Sequence, residues 1–171
     1  RPWSWLTYSI VHGSWSHVLL NSVWLAAFGS SVLRRAGGAR ALVLAAVTSA
    51  GGALAQWVSD PASVQPVIGA SAIVSGFMAA AATFIFERRH PVWWGAPAAR
   101  TRWGYLRNRQ AVLFLGSWFA LNLLFGVLAV PLGLSEAGIA WQAHIGGLLA
   151  GLLAFPLLDR QPPADPPAPH P

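Results

Sequence analysis

Two residues in this chain have the chemistry for nucleophilic acyl transfer. Ser71 stands behind Gly69 and Ala70 in the run VIGASAIVSGFMAA (67–80), and His144 lies in AWQAHIGGLLAGLLAF (140–155). A Gly-x-Ser turn exposes a hydroxyl where a loop becomes a helix, and the first N–H groups of that helix lack intrahelical partners and can hold an oxyanion. A histidine within hydrogen-bond reach would take the serine's proton. His17 and Asn21 are four residues apart and so share a helix face. With the Ser71 backbone N–H they could donate to the oxyanion of a tetrahedral intermediate, an interaction whose loss costs on the order of a hundredfold in rate. Each feature also has a plainer reading. Gly, Ala and Ser are common in membrane helices, His144 can be interhelical glue, and His17 and Asn21 can clamp helices together.

The elements that must position these groups are membrane helices. Of 171 residues, 55% are hydrophobic and only 9% charged, with ten Trp, against the usual quarter charged of a soluble domain. The expected fold class is an all-α membrane protein, a polytopic helical bundle in contact with the lipid bilayer. Residues 1–16 carry Trp3, Trp5, Tyr8 and Trp15 among polar residues, as an interfacial loop would. Apolar runs predict spans at about 17–33, 41–58, 67–86, 111–130 and 140–158. The tail 161–171 is proline-rich and reads as disordered. The net charge of +6 does not point to nucleic acid, because every basic residue is Arg and they fall in the gaps between apolar runs. With no Cys there is no disulfide framework or Cys-based metal site.

Arg follows the first, third and fifth spans, whereas the loops around Asp60 and Glu136 hold none, which places the Arg-rich loops in the cytoplasm. Residue 1 is then outside, and a chain starting there without a visible export signal predicts a preceding helix, six in all with five present. Spans one, three and five run inward, so Asn21, Ser71 and His144, each about four residues into its span, are expected roughly 6 Å below the helix starts. Polar side chains from three helices at one depth are functional candidates. Gly147 and Gly151 on one span, and Ala72, Ser75, Gly76 and Ala79 on another, offer small faces for close approach. All five acids lie at helix ends, in loops or in the tail, so none is available to orient His144 and a dyad is expected rather than a triad. There is no His-Glu-x-x-His, and His12 and His17 have the wrong spacing for one helical face. No metal and no cofactor is expected.

HGSWSHVLLN (12–21), GAS (69–71) and AHIGGLLAG (143–151) together resemble, in order, the three signature segments of rhomboid intramembrane serine proteases of the bacterial type. The resemblance covers about residues 3–158. It implies a six-helix bundle in a bacterial inner membrane whose Ser–His dyad, opening to the outer side, hydrolyses peptide bonds in or near transmembrane segments of protein substrates. By motif position, Ser71 resembles the nucleophile, His144 the base, and Asn21 with His17 the oxyanion side chains. His12 resembles the loop histidine, with Gly69 and Gly147 as structural positions. The sequence departs from the family pattern in having Ala72 after the serine where Gly is usual, Ser75 where an aromatic is often found, and Trp3-Ser4 in place of Trp-Arg. The alternative is a catalytically inactive rhomboid-like protein that binds transmembrane clients. A transporter is disfavoured by the lack of in-membrane charge and of an inverted repeat. Substrate identity and oligomeric state are not legible.

Overall fold

The computed structural model describes residues 1–86, 103–128, 130–133 and 139–159. Most of the Arg-rich linker with His90, Glu136, and the proline-rich tail with His170 lie outside them. The described residues form α1 (Ser4–Thr7), a 3-10 turn (Tyr8–Ile10), α2 (Trp15–Trp24), α3 (Ser30–Ala36), α4 (Gly38–Ser59), α5 (Ser71–Ile85), α6 (Arg109–Leu128) and α7 (Trp141–Leu158). A π-helical turn, Leu25–Gly29, joins α2 to α3. Among the described residues, four apolar helices are long enough to cross a membrane: Trp15–Ala36, Gly38–Ser59, Arg109–Leu128 and Trp141–Leu158.

Helix starts differ from the expected ones where a capping group acts. The first span begins at Trp15 rather than about 17, because the Ser14 hydroxyl accepts from the His17 N–H at 3.2 Å and supplies the N-cap. α4 begins at Gly38 rather than about 41, because Gly37 at φ 81° makes the whole turn between spans. α6 begins at Arg109 because the Asn108 carboxamide oxygen accepts from the Gln110 and Ala111 N–H groups.

The largest correction concerns α5. It starts at Ser71, not at about 67, since Gly69 adopts φ 105° and leaves Val67–Ala70 outside the helix. Ser71 is therefore the first helical residue rather than one about four residues in. At 15 residues the helix is only about 22 Å long, short of the roughly 30 Å of hydrocarbon. It is nonetheless the centre of the bundle, with Ala72 and every residue from Val74 to Ala82 buried.

Small residues explain how the helices close around α5. A Cβ on Gly147 would collide with the Ala72 backbone, and one on Gly151 with the Gly76 backbone. α4 supplies a third small face that motif reading did not assign. A Cβ on Gly51 would meet Ala150 and the Gly146 carbonyl, and one on Gly76 would meet Thr48. Backbone-to-backbone contact of this kind is how helices associate where lipid removes the hydrophobic drive. Larger side chains fill the layer toward the Arg-bearing ends, with Val32, Leu44, Phe77 and Phe155 in one cluster and Met78, Leu115 and Leu148 in another.

At that end Arg35 grips Asp159 through two donors, Nε to Oδ1 at 3.0 Å and Nη2 to Oδ2 at 2.8 Å, while its guanidinium lies 5.7 Å from the Phe84 ring centre. The pair ties the first span to the last residue after α7. It is partly buried, so its worth falls between the ~1 kcal/mol of exposed pairs and the 3–5 kcal/mol cost of breaking buried ones. Asp159→Ala is expected to cost about 2 kcal/mol of unfolding free energy in mild detergent. Arg35→Ala on top of it should cost little more, and full additivity in that double-mutant cycle would show that the two side chains do not act together.

Candidate active site

The N-terminal segment is fastened to α4 and to the serine loop through Tyr8. Its hydroxyl donates to the Ser49 carbonyl at 2.9 Å, and its own carbonyl accepts from the Gly69 N–H at 3.1 Å. Burial pushes the Tyr8 phenol above its ordinary value, which keeps it a donor. Ser49 in turn donates from its hydroxyl to the Trp5 carbonyl at 3.1 Å. These bonds fix the loop that carries His12 over the start of α5.

His12 does more than steady its own loop. The Ile10 carbonyl 3.0 Å from Nδ1 can only accept, so Nδ1 carries the proton and Nε2 accepts from the Ala70 N–H at 3.4 Å. Ala70 immediately precedes Ser71. The His12 ring also packs edge-on against His17, with centroids 4.9 Å apart. Gly69 completes the cluster, because a Cβ there would lie 2.5 Å from His17 Nε2 and 3.5 Å from Asn21 Nδ2. Asn21 is buried and, among the described residues, its Nδ2 has no hydrogen-bond partner, a donor held beside the serine loop.

Two contacts bring Ser71 and His144 into one layer. Ala72, the residue after the serine, lies against Gly147, which is three residues and so nearly one turn from His144 on α7. On α4, a Cβ at Gly52 would touch both the Ala72 methyl and the carbonyl of Ala143, next to His144. Gly52 is seven residues before the end of α4, so this layer lies about 10 Å below that end. The serine thus reaches depth by a descending loop, not by the four helical residues expected. The Ala72 methyl is fully buried and packs toward Gly52. Beside the loop an open depression of about 400 Å³ is lined by Ile10, His12, Gly13, Ser14, Trp15 and Val18.

One residue of the site escaped sequence reasoning. Asn122 on α6 places Oδ1 2.6 Å from His144 Nδ1, and its Nδ2 donates to the Trp118 carbonyl at 2.8 Å. The signal was present, since Asn122 is a lone carboxamide inside an apolar span and intramembrane polar groups are functional candidates by default. Ser75, one turn after Ser71, is buried with its hydroxyl unpartnered.

No curated protein matches the chain. A family model described as the Rhomboid domain matches residues 1–161. That range takes in the His12–Asn21 segment, the serine loop and all of the described helices. The chain is therefore an integral membrane protein belonging to the rhomboid family.

Proposed function

We propose that this protein is an intramembrane serine endopeptidase that cleaves peptide bonds in or near transmembrane segments of protein substrates. The observation that carries the reading is the seating of the start of α5 against Gly147 and Gly52, which supports Ser71 and His144 sharing one layer, while the buried Asn21 amide, unpartnered among the described residues, lies beside Gly69, two residues before Ser71. Ser71 Oγ attacks the scissile carbonyl carbon as His144 Nε2 takes its proton. The oxyanion that forms is held by the Asn21 amide, by His17 and by the free N–H groups at the start of α5. Collapse breaks the C–N bond, with the proton passing from His144 to the leaving amine. Water then attacks the acyl ester, giving its proton to His144, and the ester C–O bond breaks as His144 passes that proton to Ser71 Oγ, which restores the hydroxyl and the neutral imidazole. Polar groups that stabilise a carbonyl addition fit a membrane site open to water, and the loop depression beside His12 supports access from the side opposite the Arg-bearing helix ends. By the distribution of Arg that side is the outer face, and the family's bacterial type fits an inner-membrane location.

The inactive, client-binding reading rested on Ala72. That methyl packs toward Gly52 on α4, which supports reading the departure from Gly as a packing feature. The test is labelling by a fluorophosphonate, which Ser71 would attack with loss of fluoride. The parent in detergent should label, and Ser71→Ala and His144→Ala should not. A well-folded parent that stays unlabelled would replace this reading with client binding.

A further inference from the structure

The Asn122 carboxamide is held from both ends, and the two contacts determine which way it points. The Trp118 backbone carbonyl can only accept, so the NH2 group faces it and the amide oxygen faces His144. That oxygen also can only accept. His144 Nδ1 must then carry the proton, and in the neutral ring Nε2 keeps its lone pair. We propose that Asn122 is the positioning residue of this site, fixing His144 in the Nδ1–H tautomer and turning Nε2 toward Ser71. The inference rests on the protease reading and supplies the third member that the acidic residues do not.

Other groups near the histidine do not fill this role. Ser75 occupies the position one turn beyond Ser71, yet among the described residues its hydroxyl has no partner. Among the described residues, the hydrogen-bond partner of the His144 ring is Asn122, and the carboxylate of Asp159 is engaged with Arg35 at the far end of α7. A bond made merely to join α6 to α7 would not need the second anchor at Trp118. With it, the amide cannot rotate to offer its NH2 to the imidazole, which would select the opposite tautomer.

The experiment compares the parent with Asn122→Leu and Asn122→Asp, each as the full chain in detergent. Two readouts are taken: the rate of fluorophosphonate labelling, and the 15N NMR signature of His144, assigned by its loss in His144→Ala. On the scale set by orienting partners of metal-bound histidines, about ten- to a hundredfold, Asn122→Leu should slow labelling. It should melt close to the parent and show a mixture of tautomers. Asn122→Asp keeps an acceptor of the same shape in place and should restore most of the rate, which a filler of space would not require. Parental labelling by Asn122→Leu would overturn the proposal, as would a parental His144 protonated at Nε2, a result that stands even if Asn122→Leu fails to fold. If the parent does not label but shows the Nδ1–H signature that Asn122→Leu loses, the positioning role stands and the protease reading falls.

Discussion

Gly147→Ala is expected to disable the protein and to loosen it at once. The added methyl would lie 2.7 and 2.8 Å from the Ala72 carbonyl carbon and Cα, and closer still to its oxygen. These are backbone atoms of a fully buried residue, so they cannot turn aside as a long side chain would. α5 and α7 must part, and overpacking of this kind costs about 3 kcal/mol. The proposed chemistry is expected to be hit harder than the stability, since Ser71 is joined to Ala72 and His144 is one turn from Gly147. A misplacement of about 1 Å between reacting groups costs on the order of a hundredfold in rate. Melting in detergent and fluorophosphonate labelling measure the two effects on one sample. Gly116→Ala is the control, because a Cβ at that position on α6 meets nothing within 4 Å. It should leave the labelling rate unchanged and raise stability by up to about 1 kcal/mol through helix propensity. A Gly147→Ala protein that melted and labelled like the parent would mean that α5 and α7 do not touch as described.

Gly69→Ala should produce a different split, a severe loss of reactivity with a modest loss of stability. At φ 105° an alanine is strained wherever it sits, at a cost of about 2 kcal/mol. Its methyl would also push on His17 Nε2 at 2.5 Å and Cε1 at 2.6 Å, and reach the Asn21 amide at 3.5 Å. The groups displaced are those proposed to receive the oxyanion, and losing one such donor costs on the order of a hundredfold. The same loop carries the Ala70 N–H that His12 accepts, so its shift would be felt at the serine as well. Labelling that dropped only in proportion to unfolding would remove His17 and Asn21 from the chemistry and leave them as a clamp between helix and loop.

Much of this arrangement is legible in the sequence because it rests on residue type at fixed helical spacing. Gly147 and Gly151 meet Ala72 and Gly76 as the small-face pattern predicts, and the apolar runs give five helices in the right order. The start of α5 is not legible in the sequence, for a specific reason. Val67 and Ile68 are as apolar as the helix that follows, and only the backbone conformation of Gly69 separates them from it. Hydropathy has no access to that angle. The role of Gly51 and Gly52 on α4 was likewise hidden, since a glycine pair in a span is informative only once its neighbour across the interface is known. Asn122 is visible in the sequence as a polar residue in an apolar span, but its partner is 22 residues away on another helix and nothing in local spacing pairs them.

α6 buries only Ala111 and Leu115 among its described residues, while Phe119, Leu121, Leu124, Phe125 and Val127 are exposed. The Asn122 amide beside His144 is thus mounted on the span with the least protein around it among the described residues. Such a helix takes its tilt partly from the acyl chains at its side, and mismatch with them costs fractions of a kcal/mol per Å. The bilayer would then act as an effector of the reaction. Turnover in vesicles of short-chain and long-chain lipid would differ at equal substrate, with thickness and lateral pressure setting how much of the population holds its histidine ready.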